Sequence, residues 1–397
     1  MVEWKHMWEV TTWDKKFTGV DKSMQPDIKK YHYYLANELT NLERPDGDIR
    51  ILYTTDKIAY AHSIDVEENV SEGEVVAIPW GGNVSVKYYK GRFITADNRI
   101  ATSNNTSLLN NKFLYYWMLS QKSNIESFYR GAGIKHPSMF KVLNMLIPIP
   151  SLSEQQRIVS ILDTFTSSIS NLKQQIEERR KQYNFLLDKL YYANKSELLE
   201  ATERGEVCVK TLDEIGTFTR GRRFVRTDIV EEGVPCIHYG DMYTYYGVFA
   251  EKTPTFLTKE KAEKLRFAKK GDVVIVAAGE NDIDIGVGVA WLGEEDVVVH
   301  DACFIFKHSM NPKYLSYFMR SMNYHLQIRM GVVDGKICSI SAKELGRTLT
   351  PIPSLEEQSR IVSILDTFEQ SIANLEAQLA MREKQYEYYR NQLLTFE

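Results

Sequence analysis

The sequence predicts an α/β (mixed α+β) protein. It predicts two domains in tandem, separated by two long helices that form an antiparallel coiled coil, in a pseudo-two-fold architecture. Three observations predict this. First, residues 148–165 read PIPSLSEQQRIVSILDTF and residues 351–368 read PIPSLEEQSRIVSILDTF. Sixteen of the eighteen positions match at an offset of 203 residues, about half of the 397-residue chain. A near-identical copy at that spacing means two structural units in tandem. Second, a heptad pattern of apolar residues follows each copy. Third, short matches recur in the same order through the remainder of the two halves.

The first globular half, residues 1–147, carries β-rich runs such as 74–79 among glycine turns, then a helical pattern at 113–128. The segment 148–193 is the first helical spacer. Pro148 and Pro150 end the preceding strand or loop, because a residue before proline avoids helical angles. Ser151 lies three residues before Glu154, the spacing of a capping box, and Ser354 and Glu357 repeat it. Ile158, Leu162, Phe165, Ile169 and Leu172 then alternate steps of four and three, continuing through Ile176, Tyr183, Leu186 and Leu190. Arg179 and Arg382 occupy the same slot, where an apolar residue is missing. Such a seam, sustained for about five heptads, belongs to a coiled coil.

The charged stretch 194–205 reads as a linker. The second globular half, 206–350, repeats the α/β pattern, with a β-rich run at 272–277 and a helical pattern at 314–330. The second spacer, 351–397, carries Ile361, Leu365, Phe368, Ile372 and Leu375 at the same steps. Roughly 40 residues at 1.5 Å each make each rod on the order of 60 Å long. Each seam requires a partner. The other copy is the nearest, and the alternatives are a fold-back onto its own domain or self-association.

The globular halves resemble each other weakly but in order. Phe17-Thr18-Gly19 has a counterpart in Phe218-Thr219-Arg220-Gly221. Glu72-Gly73-Glu74-Val75-Val76 matches Lys270-Gly271-Asp272-Val273-Val274, and Gly81 and Asn83 meet Gly279 and Asn281. Asp97 falls opposite Asp301, and Asn111-Lys112-Phe113-Leu114 parallels Pro312-Lys313-Tyr314-Leu315.

Hydrophobic residues are 43% and charged residues 26%, the balance of a soluble globular protein. No apolar run approaches the roughly 18 residues of a membrane span. Residues 1–10 show no signal-peptide pattern, so a cytoplasmic protein is expected. Cys208, Cys236, Cys303 and Cys338 form no Cys-x-x-Cys pair; they read as buried reduced thiols, and no metal site is expected. The net charge of −4 argues against wholesale nucleic-acid binding, so a DNA-binding face has to be concentrated or completed by a partner.

No catalytic signature survives inspection. The chain contains neither a phosphate-binding loop nor G-x-G-x-x-G before a helix. Asn311-Pro312-Lys313 begins like the Asn-Pro-Pro-aromatic motif of amino-methyltransferases but lacks the second proline. Gly286-Val287-Gly288 is explained better by turn geometry than by cofactor binding.

A recognition surface is what remains. Arg220, Arg222, Arg223 and Arg226 place four guanidinium groups within seven residues, with Gly221 loosening the backbone. Arginine reaches phosphates and reads guanine edges bidentately; a solvated basic loop is the plainer alternative. Tyr239, Asp241, Tyr243 and Tyr245 offer hydroxyls and a carboxylate, the acid accepting from cytosine N4, or some of these tyrosines are core. Asn83 and Asn281 sit in matching loops as adenine-pairing or ordinary turn residues. Lys336 and the pair Lys135-His136 lie before the long helices in equivalent places, suited to phosphate contacts.

The repeated Pro-Ile-Pro-Ser-Leu-x-Glu-Gln-x-Arg-Ile-Val segment and this architecture together resemble the DNA-specificity (S) subunit of type I restriction–modification systems. The resemblance covers essentially the whole chain and is strongest in the two repeats. It implies two target recognition domains, each reading half of a split, asymmetric DNA site, and helices that act as a ruler. It implies docking of two modification (methyltransferase) subunits and of restriction subunits on double-stranded DNA. S-adenosylmethionine, ATP and Mg would then be held by those partners, and this chain would carry no cofactor and no catalytic residue. A coiled-coil adaptor that binds only proteins, or the recognition part of a self-contained DNA methyltransferase, are the competing readings.

Overall fold

The computed structural model describes residues 2–396, with all of their side chains except those of Glu67 and Tyr243. The chain divides into two compact units. One comprises residues 1–172 and 378–397, the other residues 173–377. The division cuts through both long helices, Leu152–Leu190 and Leu355–Leu393, so each unit holds one globular domain and a stretch of each helix.

In the first unit six strands form one sheet. Their order is Thr11–Trp13, Asn98–Ser103, Ser71–Pro79, Lys87–Thr95, Ile49–Leu52 and Ile58–Ala61. All neighbours are antiparallel except Ile49–Leu52 against Lys87–Thr95. The second unit splits its strands into two five-stranded sheets, one of which keeps the frame of the first unit: Gly216–Arg220, Cys303–His308 and Val273–Val276 lie side by side. Val76 pairs with Ala101 as Val274 pairs with Ile305, which makes these positions equivalent. The same register sets Trp13, opposite Ala101, equivalent to Thr219, opposite Ile305. The match of Phe17-Thr18-Gly19 to the strand containing Phe218 is therefore out of register, because Phe17 lies beyond the end of its strand.

The first strand of each domain returns to pair with the segment that opens the repeat. Glu3–His6 pairs with Leu146–Ile149, and Cys208–Thr211 with Leu349–Ile352, each antiparallel. Pro148 and Pro351 thus lie inside short strands rather than after them. A two-stranded ribbon has free edges on both sides, which is where a strand tolerates proline.

The predicted helix at 113–128 is two helices, Asn111–Ser120 and Lys122–Ser127, meeting at Gln121. That at 314–330 is Pro312–Phe318 and Met322–Ile328, because Ser321 leaves helical geometry and its hydroxyl caps Tyr324 N. The stretch read as a linker forms a helix, Lys195–Glu203, capped by Asn194 with Leu198 and Ala201 buried. Asn311 likewise caps the helix that begins at Pro312.

Each long helix has 39 residues, about 58 Å at 1.5 Å per residue. Ser151 and Ser354 do cap them, at 3.3 and 3.2 Å from Glu154 N and Glu357 N. The return half of the capping box is absent, because Glu154 and Glu357 instead make paired hydrogen bonds with Arg157 and Arg360. Within each unit the two helices run antiparallel. In the first, Phe165 stacks on Tyr389 at 5.3 Å; in the second, Arg180 meets Glu376 at 2.5 Å and Tyr183 donates to Glu369 at 3.2 Å. The arginines in the missing apolar slots cover phenylalanine rings of the repeat: Arg382 lies 5.7 Å from the Phe165 centroid and Arg179 lies 5.5 Å from that of Phe368. A guanidinium face on a ring keeps a polar residue in the seam without burying its charge unpaired.

The start of each seam does different work from its middle. Ile158 and Leu162 are buried in the core of the first domain, with Leu394 from the end of the other helix. Ile361 and Leu365 are buried in the core of the second, with Leu187 and Tyr191. These four residues, expected to be coiled-coil contacts, are domain core. Phe165, Ile169, Leu172, Phe368, Ile372 and Leu375 are half-buried along the rods. Of the cysteines, Cys236, Cys303 and Cys338 are buried and free, whereas Cys208, on a ribbon strand, is exposed. Among the described residues no helix is long and apolar enough to cross a membrane.

Candidate nucleic-acid interface

In the second unit the arginine-rich loop leaves the strand Gly216–Arg220 and is pinned along its length. Arg220 donates from Nε to Asp301 O at 2.8 Å, and its own carbonyl accepts from Arg266. Arg222 donates to Lys264 O at 2.8 Å. Gly221 does not loosen this loop. A Cβ there would stand 2.1 Å from His300 O, so glycine permits a close backbone approach. Phe224 is buried, and its carbonyl faces His300 Nε2 at 3.1 Å. With those groups committed inward, Arg223 and Arg226 are exposed, and no acceptor for either is found among the described residues.

Arg223 and Arg226 border a cavity of about 470 Å³, lined also by His238, Tyr239, Glu280, His300, Asp301 and Ile337. The His238 and His300 rings are 5.2 Å apart, and Tyr239 lies 5.4 Å from His300. Burial lowers the pKa of both imidazoles, against the opposing pull of Asp241 on His238 and of Asp301 on His300. Both are therefore neutral near pH 7. The side-chain charges at this cavity are those of two arginines and two carboxylates, beside flat rings. Such a surface is suited to reading the edges of bases and the phosphates beside them.

The remaining residues singled out in this half divide by role. Asp241 faces inward: its carboxylate accepts from His238 N at 3.2 Å and Thr255 Oγ1 at 2.9 Å, which makes it a brace for the cavity wall. Tyr245 is exposed and stands edge-on to Tyr246. Tyr243 lies outside the described side chains. Asn281 is exposed and caps a short turn through Ile283 N. Pairing of Gly279 with Cys338 brings the loop of Asn281 beside the exposed Lys336 and Ile337.

The first unit repeats that loop pairing with other side chains. Gly82 N donates to Lys135 O at 3.0 Å, and His136 Nδ1 lies 2.7 Å from Trp80 O. Asn83, Lys135 and His136 are exposed together on this edge. Trp80 supplies a flat face to Arg99 at 4.7 Å and to Lys15 at 5.7 Å. Beneath it, Arg99 and Asp14 form a fully buried ion pair at 2.7 Å, to which Tyr33 is hydrogen-bonded. Asp14 stands at the register position of Arg220, so the loop after it corresponds to the arginine loop. It carries Lys15, Lys16, Lys22, Lys29 and Lys30. These lysines and Trp80 form no cluster in the sequence, because they are spread over a longer segment than the arginines. The pairs Lys15-Lys16 and Lys29-Lys30 were the available signal.

Among the described residues no group of three or more His, Cys, Asp or Glu side chains is placed to hold a metal ion. Gly286 has φ of 86° and packs against Ile328, a tight turn as expected.

Two units that share a backbone frame and differ in the side chains at one edge define a recognition protein. The chain belongs to the type I restriction modification DNA specificity domain family, which matches residues 20–179 and 205–381. It is a specificity subunit of a type I restriction–modification enzyme, the part that reads the DNA target within a complex whose catalysis sits in other subunits. It is similar to a putative type I restriction enzyme specificity subunit of Haemophilus influenzae, 28% identical over 91% of this chain and 94% of the relative. A type I restriction enzyme specificity subunit of Escherichia coli is 29% identical over 72% of this chain and 70% of its own length. Among solved structures, the fold resembles the type I restriction–modification S subunit of M. genitalium, with a TM-score of 0.63 and 18% identity over 100% of this chain and 97% of the other.

Proposed function

We propose that each unit reads one half of a split, asymmetric duplex site, and that the helix pair sets the spacer between the halves. The target recognition domains are residues 1–147 and 206–350. The helical spacers are 148–193 and 351–397, joined to the second domain through 194–205. The carrying observation is the pair of equivalent edges described above. In one, Arg223 and Arg226 face a cavity lined by Tyr239 and Ile337, with Lys336 exposed next in the chain; in the other, Lys15 and His136 lie against Trp80, with Asn83 and Lys135 exposed on the paired loops. One frame with two side-chain sets reads two different sequences, as an asymmetric site requires.

Two modification subunits dock along the half-buried helix faces, through residues such as Phe165, Ile169, Leu172, Phe368, Ile372 and Leu375, and restriction subunits join that assembly in the cytoplasm. S-adenosylmethionine, ATP and Mg belong to those partners. Adenine methylation takes the base out of the stack into a partner's pocket, so this chain positions the duplex without reacting with it. Sequencing host DNA for methylated adenine, with and without this gene, tests the reading. A bipartite motif that disappears with the gene is expected; unchanged methylation, or a contiguous motif, overturns it.

A further inference from the structure

Each globular domain is fastened to its long helix by the same latch, assembled from residues that lie in different parts of the sequence. In the first unit Lys112 Nζ is 2.8 Å from Asp163 Oδ2, and Tyr116 donates to Asp163 Oδ1 at 2.6 Å. In the second, Lys313 Nζ is 2.5 Å from Asp366 Oδ2, and Tyr317 donates to Asp366 Oδ1 at 2.7 Å. Each lysine also sits over a ring of its own domain, Tyr88 at 5.2 Å and Phe249 at 4.2 Å. The aspartates are in the repeat. The lysines and tyrosines are in halves that have otherwise diverged, and both keep the spacing Lys-x-x-x-Tyr.

The placement has a mechanical consequence. Each domain runs covalently into its helix at one point, where the ribbon strand ends before Leu152 or Leu355. Beyond it the first turns of the helix pack into the domain core, through Ile158 and Leu162 or Ile361 and Leu365. The latch closes the far end of that packed stretch, eleven residues along the helix and about 17 Å from its start at 1.5 Å per residue. Slack of 1 Å at that distance is a tilt of roughly 3°. Carried across a domain, that tilt is a sizeable fraction of the base-pair step of about 3.4 Å, so loosening the latch broadens the range of registers the domain reaches. We infer that Lys112, Tyr116 and Asp163, with Lys313, Tyr317 and Asp366, are positioning residues that make the protein select one spacer length. This rests on the proposed bipartite reading and adds a residue-level determinant of spacer choice, separate from the side chains that read bases.

The test is adenine-methylation sequencing of cells carrying the whole complex, with the wild-type chain or with Asp163→Asn and Asp366→Asn together. The asparagines keep the shape and an acceptor for each tyrosine but remove the charge that holds the lysine. Methylated half-site bases should stay the same, while methylation at sites whose spacer is one base pair shorter or longer rises at least fivefold relative to the native spacer. Tyr116→Phe with Tyr317→Phe should relax the spacer in the same direction. Lys112→Arg with Lys313→Arg, which keeps the charge, should retain the wild-type preference. Variants that lower thermal stability yet keep the single spacer overturn the inference and leave a merely structural latch. A wild-type complex that methylates no bipartite motif overturns the underlying function instead.

Discussion

Replacing Arg223 and Arg226 together by alanine is the sharpest probe of the second reading edge. Of the four clustered arginines, Arg220 and Arg222 are tied to the carbonyls of Asp301 and Lys264, which leaves two guanidinium groups for DNA. If both neutralise phosphates, the slope of log K against log salt should become less negative by about 1.8, at about 0.9 per phosphate. Between 50 and 200 mM salt the double variant should then lose about 12-fold less affinity than the wild type. If they read guanine edges instead, the slope should hold, and each should contribute about 1–3 kcal/mol of discrimination at one half-site only. Filter binding of the assembled complex, over a salt series and with each half-site scrambled in turn, separates the two cases. Unchanged slope together with unchanged discrimination at both half-sites would refute the placement of this loop on DNA. Arg222→Ala is the control, since its first effect is loss of the bond to Lys264 O and so of loop stability.

Three further outcomes follow from buried groups. Asp14→Ala removes the buried partner of Arg99 Nη1 and the acceptor for Ile100 N, while Asp97 still pairs with Arg99 Nη2, and should cost about 1.5–3 kcal/mol in urea unfolding; Asp14→Asn, which keeps an acceptor for Ile100 N, should cost less. Burial raises the pKa of the Glu369 carboxyl, so the folded state holds its proton more tightly than the unfolded chain, and stability falls as pH rises from the ordinary carboxylate range through the folded value. Glu369→Gln should therefore raise the melting temperature at neutral pH and lose that advantage in acid. Burial pushes His308 down to about 4. Its contribution should be intact above pH 6.5 and drain away as pH falls toward 4, by about 3 kcal/mol at most, and His308→Phe should flatten that decline in denaturant midpoints measured from pH 7 to 4.5.

Much of this is legible in the amino-acid sequence. The offset copies gave tandem units, Ser151 and Ser354 marked helix starts, and the heptads gave two rods. The site was less legible. Four clustered arginines read as one surface, yet two of them are structural; the lysines of the equivalent loop in the first unit are dispersed along residues 15–30 and form no such cluster in the sequence. The Phe17-Thr18-Gly19 match failed because short sequence likeness does not fix strand register, which only paired backbones settle.

The amino-acid sequence by itself determined the repeat, the α/β class and the rod-forming helices, because these rest on local periodicity and near-identity that any chain segment carries with it. Tertiary structure decided which residues of those rods face a domain core, which arginines remain free, and that Lys112 and Lys313 reach aspartates some fifty residues away. Those are long-range choices of packing and charge pairing. They are settled by competition among neighbours brought together in space, and no window along the chain contains them.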